Sequence, residues 1–287
     1  MVLIMLGPAL LLFGLFMLWP AIDAIYVSLC SWSGFSPEAR FIGLDNYRNL
    51  ASDTRFGTSL LNTFYYVILG GVGHFVLAFL FAYALNHPRF ARKKLYQTLI
   101  FFPSFISVVG VAILWARLYD PKDGLLNRML DAVGLTQVVW LSSEHAMNSI
   151  IVSSIWAGVG SQMILLVAGM KRIPADLYEA ARIDGASEAQ VFWRITVPLL
   201  KDVTYVALSL WLIGSLQVFG LVQSLAGPQV PIEMETVSTY QYAISFNARD
   251  NIYMMGRGTA MSVVLVIAII CFAGLARVLF GKRELEY

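Results

Sequence analysis

The chain has 287 residues, of which 58% are apolar and only 13% charged, and a mean hydropathy of +0.70. That excludes a water-soluble globular domain, which carries about 25% charged residues. The formal charge of +2 excludes a nucleic-acid footprint, because phosphate binding needs clustered excess cations. Cys30 and Cys271 lie far apart in or beside apolar stretches, so neither a disulfide framework nor a thiolate metal site is implied.

A helix crossing the hydrocarbon layer needs about 20 residues with few charges, so the spacing between charged side chains is the useful ruler. It predicts an all-α membrane protein of one domain, 1–287, with six helices at about 1–28, 58–86, 95–117, 147–170, 203–225 and 258–280. Continuous apolarity without alternation excludes a lipid-spanning β-barrel. The first stretch lacks the basic start and small-residue cleavage site of a signal peptide, and is read as a retained helix.

Arg89, Arg92, Lys93 and Lys94 follow the second helix, Lys171, Arg182 and Arg194 the fourth, and Arg277, Lys282 and Arg283 the sixth. Cytoplasmic loops collect Lys and Arg, so these flanks are expected in the cytoplasm, and both termini with them. On the outer side, residues 31–55 read as an ordered polar loop. Leu125, Leu126, Met129, Leu130 and Val133 predict a short helix along the interface.

The segment 173–198 is too structured for a linker. Pro174 suits a first helical turn, Asp176 and Glu179 sit toward the positive end of its dipole, and Gly185 supplies a left-handed stop. Ser187 with Gln190 has the form of a capping box, and Pro198 limits the helix it starts. Two short helices around a glycine corner result. Leu177, Ala180, Ala181, Phe192 and Ile195 give the corner an apolar side, which serves equally a knob for a partner's socket or a cap on the chain's own bundle.

These residues resemble the E-A-A-x3-G-x9-I-x-L-P signature of binding-protein-dependent ABC importer permeases, with Glu179, Ala180, Ala181, Gly185, Ile195 and Pro198 in register and Val197 in place of leucine. Residues 43–47 and 169–174 are similar to the carbohydrate-type permeases of the maltose and glycerol-phosphate group, in particular to the partner with the longer first outer loop. The run Ala226-Gly227-Pro228 departs from the longer glycine run of many relatives.

The resemblance implies a type I ABC importer transmembrane domain in the bacterial or archaeal cell membrane. It also implies a second permease subunit completing a heterodimer, two ATPase subunits carrying ATP and Mg, and an extracellular or periplasmic substrate-binding protein. Glu179 would pair with a basic residue of the ATPase, Ala180 and Ala181 would pack into its cleft, and Gly185 would make the turn. No G-x-x-x-x-G-K-[ST] loop occurs, so no ATPase site and no cofactor of its own is expected in this chain.

None of the six stretches carries a deep acid or base, so the ionisable relays of many secondary transporters lack their parts. The uncharged polar residues Asn62, His74, Ser104, Ser107, Ser154, Ser161, Gln162, Gln217 and Gln223 suit a neutral polyol better. Carried through the signature, the family's sugar contacts correspond to Ser154, Ala157, Gly158, Ser161, Leu210, Gly214 and Gln217. Interhelical hydrogen bonding is the alternative for Gln162 and Gln217, and helix packing the favoured reading of His74. Trp115 and Trp156 read as interface anchors or as lining. The expected function is a non-catalytic permease subunit of an ATP-driven sugar importer. The competing readings are an ion-coupled transporter or channel for a neutral solute and a membrane-embedded enzyme.

Overall fold

The computed structural model describes residues 2–87, 90–246 and 253–280, so Arg89, Lys282 and Arg283 lie outside the described residues. The fold is almost entirely helical. Helix α1 (2–28) leads into a two-residue hairpin, β1 (Cys30–Ser31) and β2 (Arg40–Phe41), paired antiparallel. Helices α2 (Asp45–Ala51) and α3 (Thr54–Asn86) follow. Next come α4 (Lys93–Phe101), α5 (Val108–Leu118), α6 (Leu125–Ala132) and α7 (Ala146–Met170). The signature segment forms α8 (Ala175–Ile183) and α9 (Glu188–Leu199), and α10 (Lys201–Leu216), α11 (Gly220–Ala226), α12 (Val237–Ser245) and α13 (Met255–Phe280) complete the chain.

Among the described residues four helices are long and apolar enough to cross a membrane, and up to six spans result if each of the two bent pairs, α4 with α5 (99°) and α9 with α10 (71°), is one. The bends correct the expected helix at 95–117. Pro103 has no amide to continue the ladder, so α4 ends in a tight turn at Phe102–Phe105. Ser107 then starts α5, its hydroxyl accepting the Gly110 amide at 3.2 Å, and the two helices meet at 99°. The expected helix at 203–225 is also broken. Helix α10 stops at Leu216, Phe219 leaves helical geometry (φ −133°), and α11 resumes at Gly220. The carbonyl of Val218, freed by the break, accepts the Thr236 hydroxyl at 2.9 Å. The second helix begins four residues before the expected 58, because the Asp53 carboxylate caps it by accepting the amides of Arg55 and Phe56.

Two prolines are handled alike. Pro20 and Pro198 each follow a widened π turn, Gly14–Leu18 and Phe192–Thr196, which gives the ring room against the preceding carbonyl.

Helices α3 and α7 form the central pair. Ala78, Ala82 and Leu85 of α3 pack on Val159, Met163, Leu166 and Met170 of α7. In lipid, contact depends on close fit rather than on expelling water, and small residues supply it. A methyl group on Gly73 would lie 2.3 Å from Ile155 Cδ1, and one on Gly160 2.4 Å from the Ile100 carbonyl oxygen. Helix α13 packs against α1, α10 and α12. The short helix α6 leaves Leu125 and Met129 exposed, with Val133 exposed at its C-terminal cap, as an interfacial position requires.

At the end away from the signature, four charges tie α3, α12, α13 and the preceding loop. Arg55 donates through Nε and Nη2 to the fully buried Glu235 (2.7 and 2.8 Å) and stacks on the Tyr240 ring. Asp53 accepts from Tyr240 (2.6 Å) and from Arg257. Burial alone would raise the Asp53 carboxyl, but the Tyr240 hydroxyl, the Phe56 amide and Arg257 outweigh it and hold it below the usual range. Burial first, then the hydrogen bond to Asp53, push Tyr240 up to about 12. A carboxyl depressed in the folded state stabilises at neutral pH and loses that contribution as acid titrates it. We therefore expect Asp53→Asn to cost about 3 kcal/mol at pH 7 by leaving Arg257 unpaired. Thermal unfolding of the detergent-purified protein checks this, and the deficit should shrink as pH falls through the carboxylate range.

Signature corner and central cavity

The signature corner folds from local rules. Helix α8 ends in a paired-bond turn: the Ala186 amide donates to the Ala181 carbonyl (2.9 Å) and the Gly185 amide to that of Arg182 (3.1 Å). Gly185 sits at φ +74° with open space where a side chain would go, so only its backbone conformation demands glycine. Both arms of the capping box are present, Gln190 N to Ser187 Oγ at 3.3 Å and Ser187 N to Gln190 Oε1 at 2.8 Å.

The corner faces two ways. Phe192 meets Phe79 and Tyr83 of α3 edge to face, and Ala181 is buried against its own chain. Leu177, Glu179, Ala180, Ile183 and Trp193 are exposed, and Glu179 has no ion-pair partner among the described residues, Arg182 included. Ala180 and Ala181 lie about 100° apart around α8, which leaves Ala180 exposed and Ala181 buried in this chain. Ile195 and Pro198 are half-buried on the inner side.

A second feature lies where both broken spans meet α3 and α7. A cavity of about 420 Å³ is lined by Ser154, Ala157, Gly158 and Ser161 of α7, and by Gly214 and Gln217 at the end of α10. Pro103, Ser104 and Ile106 from one break and Val218 to Leu221 from the other close its sides, and its lining contains no Asp, Glu, Lys or Arg. Five of the six residues singled out for the path thus line one space. Gln162 does not: it is 9% exposed, and its Oε1 is buried with no hydrogen-bond partner among the described residues. Leu210 also lies outside the lining.

Sequence reasoning missed Trp211. Its ring lies 4.1 Å from that of His74 and 5.9 Å from that of Tyr66, and its indole N–H donates to the Val67 carbonyl (3.1 Å). His74 both packs and lines: it is 2% exposed, its Nδ1 bonds the Gly70 carbonyl at 2.8 Å, and it borders the cavity. The signals available were the Gly70-Gly71 doublet on α3 and the position of Trp211 one turn before Gly214.

Trp115 is buried in the core, 5.9 Å from Trp156, and does not line the cavity. Other polar candidates bond main-chain carbonyls: Asn62 donates to those of Ile232 and Glu235, Gln223 to that of Gly227, and Ser104, which also borders the cavity, to that of Ala157. A larger recess of about 1200 Å³ opens at the charge-cluster end, and Phe219 borders both spaces.

A methyl group added at Gly71 would lie 2.8 Å from Trp211 Nε1, whereas Gly214 has open space. Gly71→Ala should therefore displace the indole and cost about 2 kcal/mol, while Gly214→Ala should be neutral or slightly stabilising. Thermal unfolding of the two variants beside the parent checks the contrast.

Comparison with known proteins agrees with this architecture. Residues 74–283 match the family model described as binding-protein-dependent transport system inner membrane component. The chain is 37% identical, over 97% of its length and 96% of the relative's, to a probable ABC transporter permease protein, YurN, of Bacillus subtilis. It is 31% identical to the diacetylchitobiose uptake system permease NgcF of Streptomyces coelicolor, over 94% of this chain and 79% of that one. It is also 31% identical to the trehalose/maltose transport system permease MalF of Thermococcus litoralis, over 94% and 90%. Among solved structures, a chain of a bacterial ABC transporter that imports alginate superposes with a TM-score of 0.83 at 27% identity, covering 98% of this chain and 94% of that one. With a folded signature corner, two broken spans around an uncharged cavity and a family match over most of its length, the chain belongs to the inner membrane permease components of binding-protein-dependent ABC transporters.

Proposed function

We propose that this chain is one permease half of an ATP-driven importer of a neutral carbohydrate, with the central cavity as its share of the path and the signature corner as its contact with the motor. One observation carries the reading. The corner is folded by its own caps, yet it leaves Leu177, Glu179, Ile183 and Trp193 facing out at the end of the bundle away from the charge cluster. A surface of that kind fits a cleft in a separate ATPase, and Glu179 there would meet a basic side chain. ATP and Mg would be bound by two such ATPase subunits, with both termini of this chain on their side, the cytoplasm.

In the cavity, Ser154, Ser161 and Gln217 offer hydroxyl and amide groups, and Trp211 with Tyr66 offers aromatic faces. Neutral sugars are bound by that combination, because hydroxyls need paired donors and acceptors while the sugar's C–H faces stack on rings. Ser161, Gly214 and Gln217 are also exposed on the surface of this chain, so a second permease subunit would close the space and complete a heterodimer. A substrate-binding protein would deliver sugar at the charge-cluster end; one of the similar solved structures is a transporter in complex with a saccharide-bound periplasmic protein.

The test is uptake of radiolabelled maltose, trehalose and diacetylchitobiose into proteoliposomes holding the whole complex. Uptake of at least one should need internal ATP and survive collapse of ion gradients; uptake driven by a clamped gradient without ATP would overturn the reading. For the corner, Gly185→Val should be strained by about 1–2 kcal/mol in its left-handed position and lose co-purification of the ATPase, while Gly185→Asn retains it.

A further inference from the structure

We propose that the hydrogen bond between Tyr83 and Glu188 is the latch through which the signature corner moves α3, and with α3 one wall of the central cavity. The inference rests on the reading of the corner as a motor contact. Tyr83 lies in the last turn of α3, and its hydroxyl donates to Glu188 Oε2 at 2.6 Å, with the Glu188 main-chain carbonyl at 3.2 Å. His87, one turn further, brings Nε2 to 3.5 Å from the other carboxylate oxygen. Glu188 is the first residue of α9, where the helix dipole favours a carboxylate, so the acceptor is ionised and the bond charge-assisted.

Beside this polar bond lies an apolar pivot. Phe192 sets its edge against Tyr83 at 5.0 Å and Phe79 at 6.2 Å, so α9 touches α3 on two successive turns. The two contacts differ in kind. The Glu188 side chain is 56% exposed, so water competes for it and the bond can be made and broken, whereas the ring contact tolerates rotation. A hinge with a releasable catch results. The recess of about 190 Å³ between the two elements is bordered by Tyr83, His87, Tyr178, Glu179 and Glu188, which places the catch beside the exposed signature glutamate.

Helix α3 is built to carry the movement. It runs unbroken for 33 residues, about 50 Å, from the capping Asp53 to Asn86. Midway it presents Tyr66 and His74 to the cavity and seats Trp211 over Gly70 and Gly71. A tilt imposed at Tyr83 therefore reaches the cavity wall without passing through a flexible joint. Tyr83 is a positioning residue: it does not line the cavity, and its hydrogen bond to the corner is made at Glu188.

The experiment uses the full complex with Ser161→Cys as a reporter in a chain carrying Cys30→Ser and Cys271→Ser. The rate at which a methanethiosulfonate reagent labels the reporter is compared without nucleotide and after trapping with ATP, Mg and vanadate. The parent should change its labelling rate on trapping. At equal ATPase occupancy, Tyr83→Phe, which keeps the ring contact with Phe192, should reduce that response about tenfold. Glu188→Ala should do the same, Glu188→Gln, which keeps an acceptor, should restore most of it, and the double variant Tyr83→Phe with Glu188→Ala should be no worse than either single one.

A Tyr83→Phe complex that responds like the parent, or losses that add in the double variant, overturns the latch. If Tyr83→Phe fails to assemble, the pair Glu188→Gln and Glu188→Ala decides alone: equal responses overturn the proposal, and a loss confined to alanine supports it. A parent complex that binds no ATPase, or whose labelling ignores trapping, refutes the motor-contact reading itself, a different outcome from a latch that does not matter.

Discussion

A backbone polar group at membrane depth has no water to pair with, so every place where a helix breaks must find its partners inside the protein. Two spans of this chain break, and their residues meet. The Ser107 hydroxyl takes the Gly110 amide, Thr236 gives its hydroxyl to the Val218 carbonyl, and Ser104 gives its own to the Ala157 carbonyl. Interrupted helices pack less continuously than whole ones, and the space they leave against α3 and α7 is the central cavity. The polar residues that repair the breaks and those that line the cavity are therefore neighbours for a single reason.

What the sequence makes legible follows from range. The signature corner is governed by contacts three to five residues apart, and Gly185, Ser187 and Gln190 do in the structure what their types and spacing imply. The breaks are harder. Pro103 gives a local reason for the first, but a ruler that counts charges passes over it, and nothing between Ser215 and Phe219 marks the second. That break is held by Thr236, 18 residues on. Trp211 escaped notice because its place over α3 depends on two glycines 140 residues away, a relation no local pattern records.

The contrast between the two ends of α3 organises the rest of the molecule. At one end Asp53, Arg55, Glu235, Tyr240 and Arg257 hold four elements with paired charges, two of them largely shielded. At the other, α3 meets the signature corner through an exposed carboxylate and an aromatic edge. That end of α3 also packs on α7 through the buried Ala78, Ala82 and Leu85, so α3 stands between the α7 core on one side and the exposed bond and ring edge of the signature corner on the other.

The charge cluster has one more consequence. Its two arginines and two acids sum to zero, and both acids are largely buried while Arg55 is half exposed, so dissolved ions screen it only in part. Contacts made by exposed single charges weaken as ionic strength climbs, and this cluster weakens less. The anchored end of the bundle therefore loses less of its grip than exposed single charges would as the salinity of the surrounding medium rises.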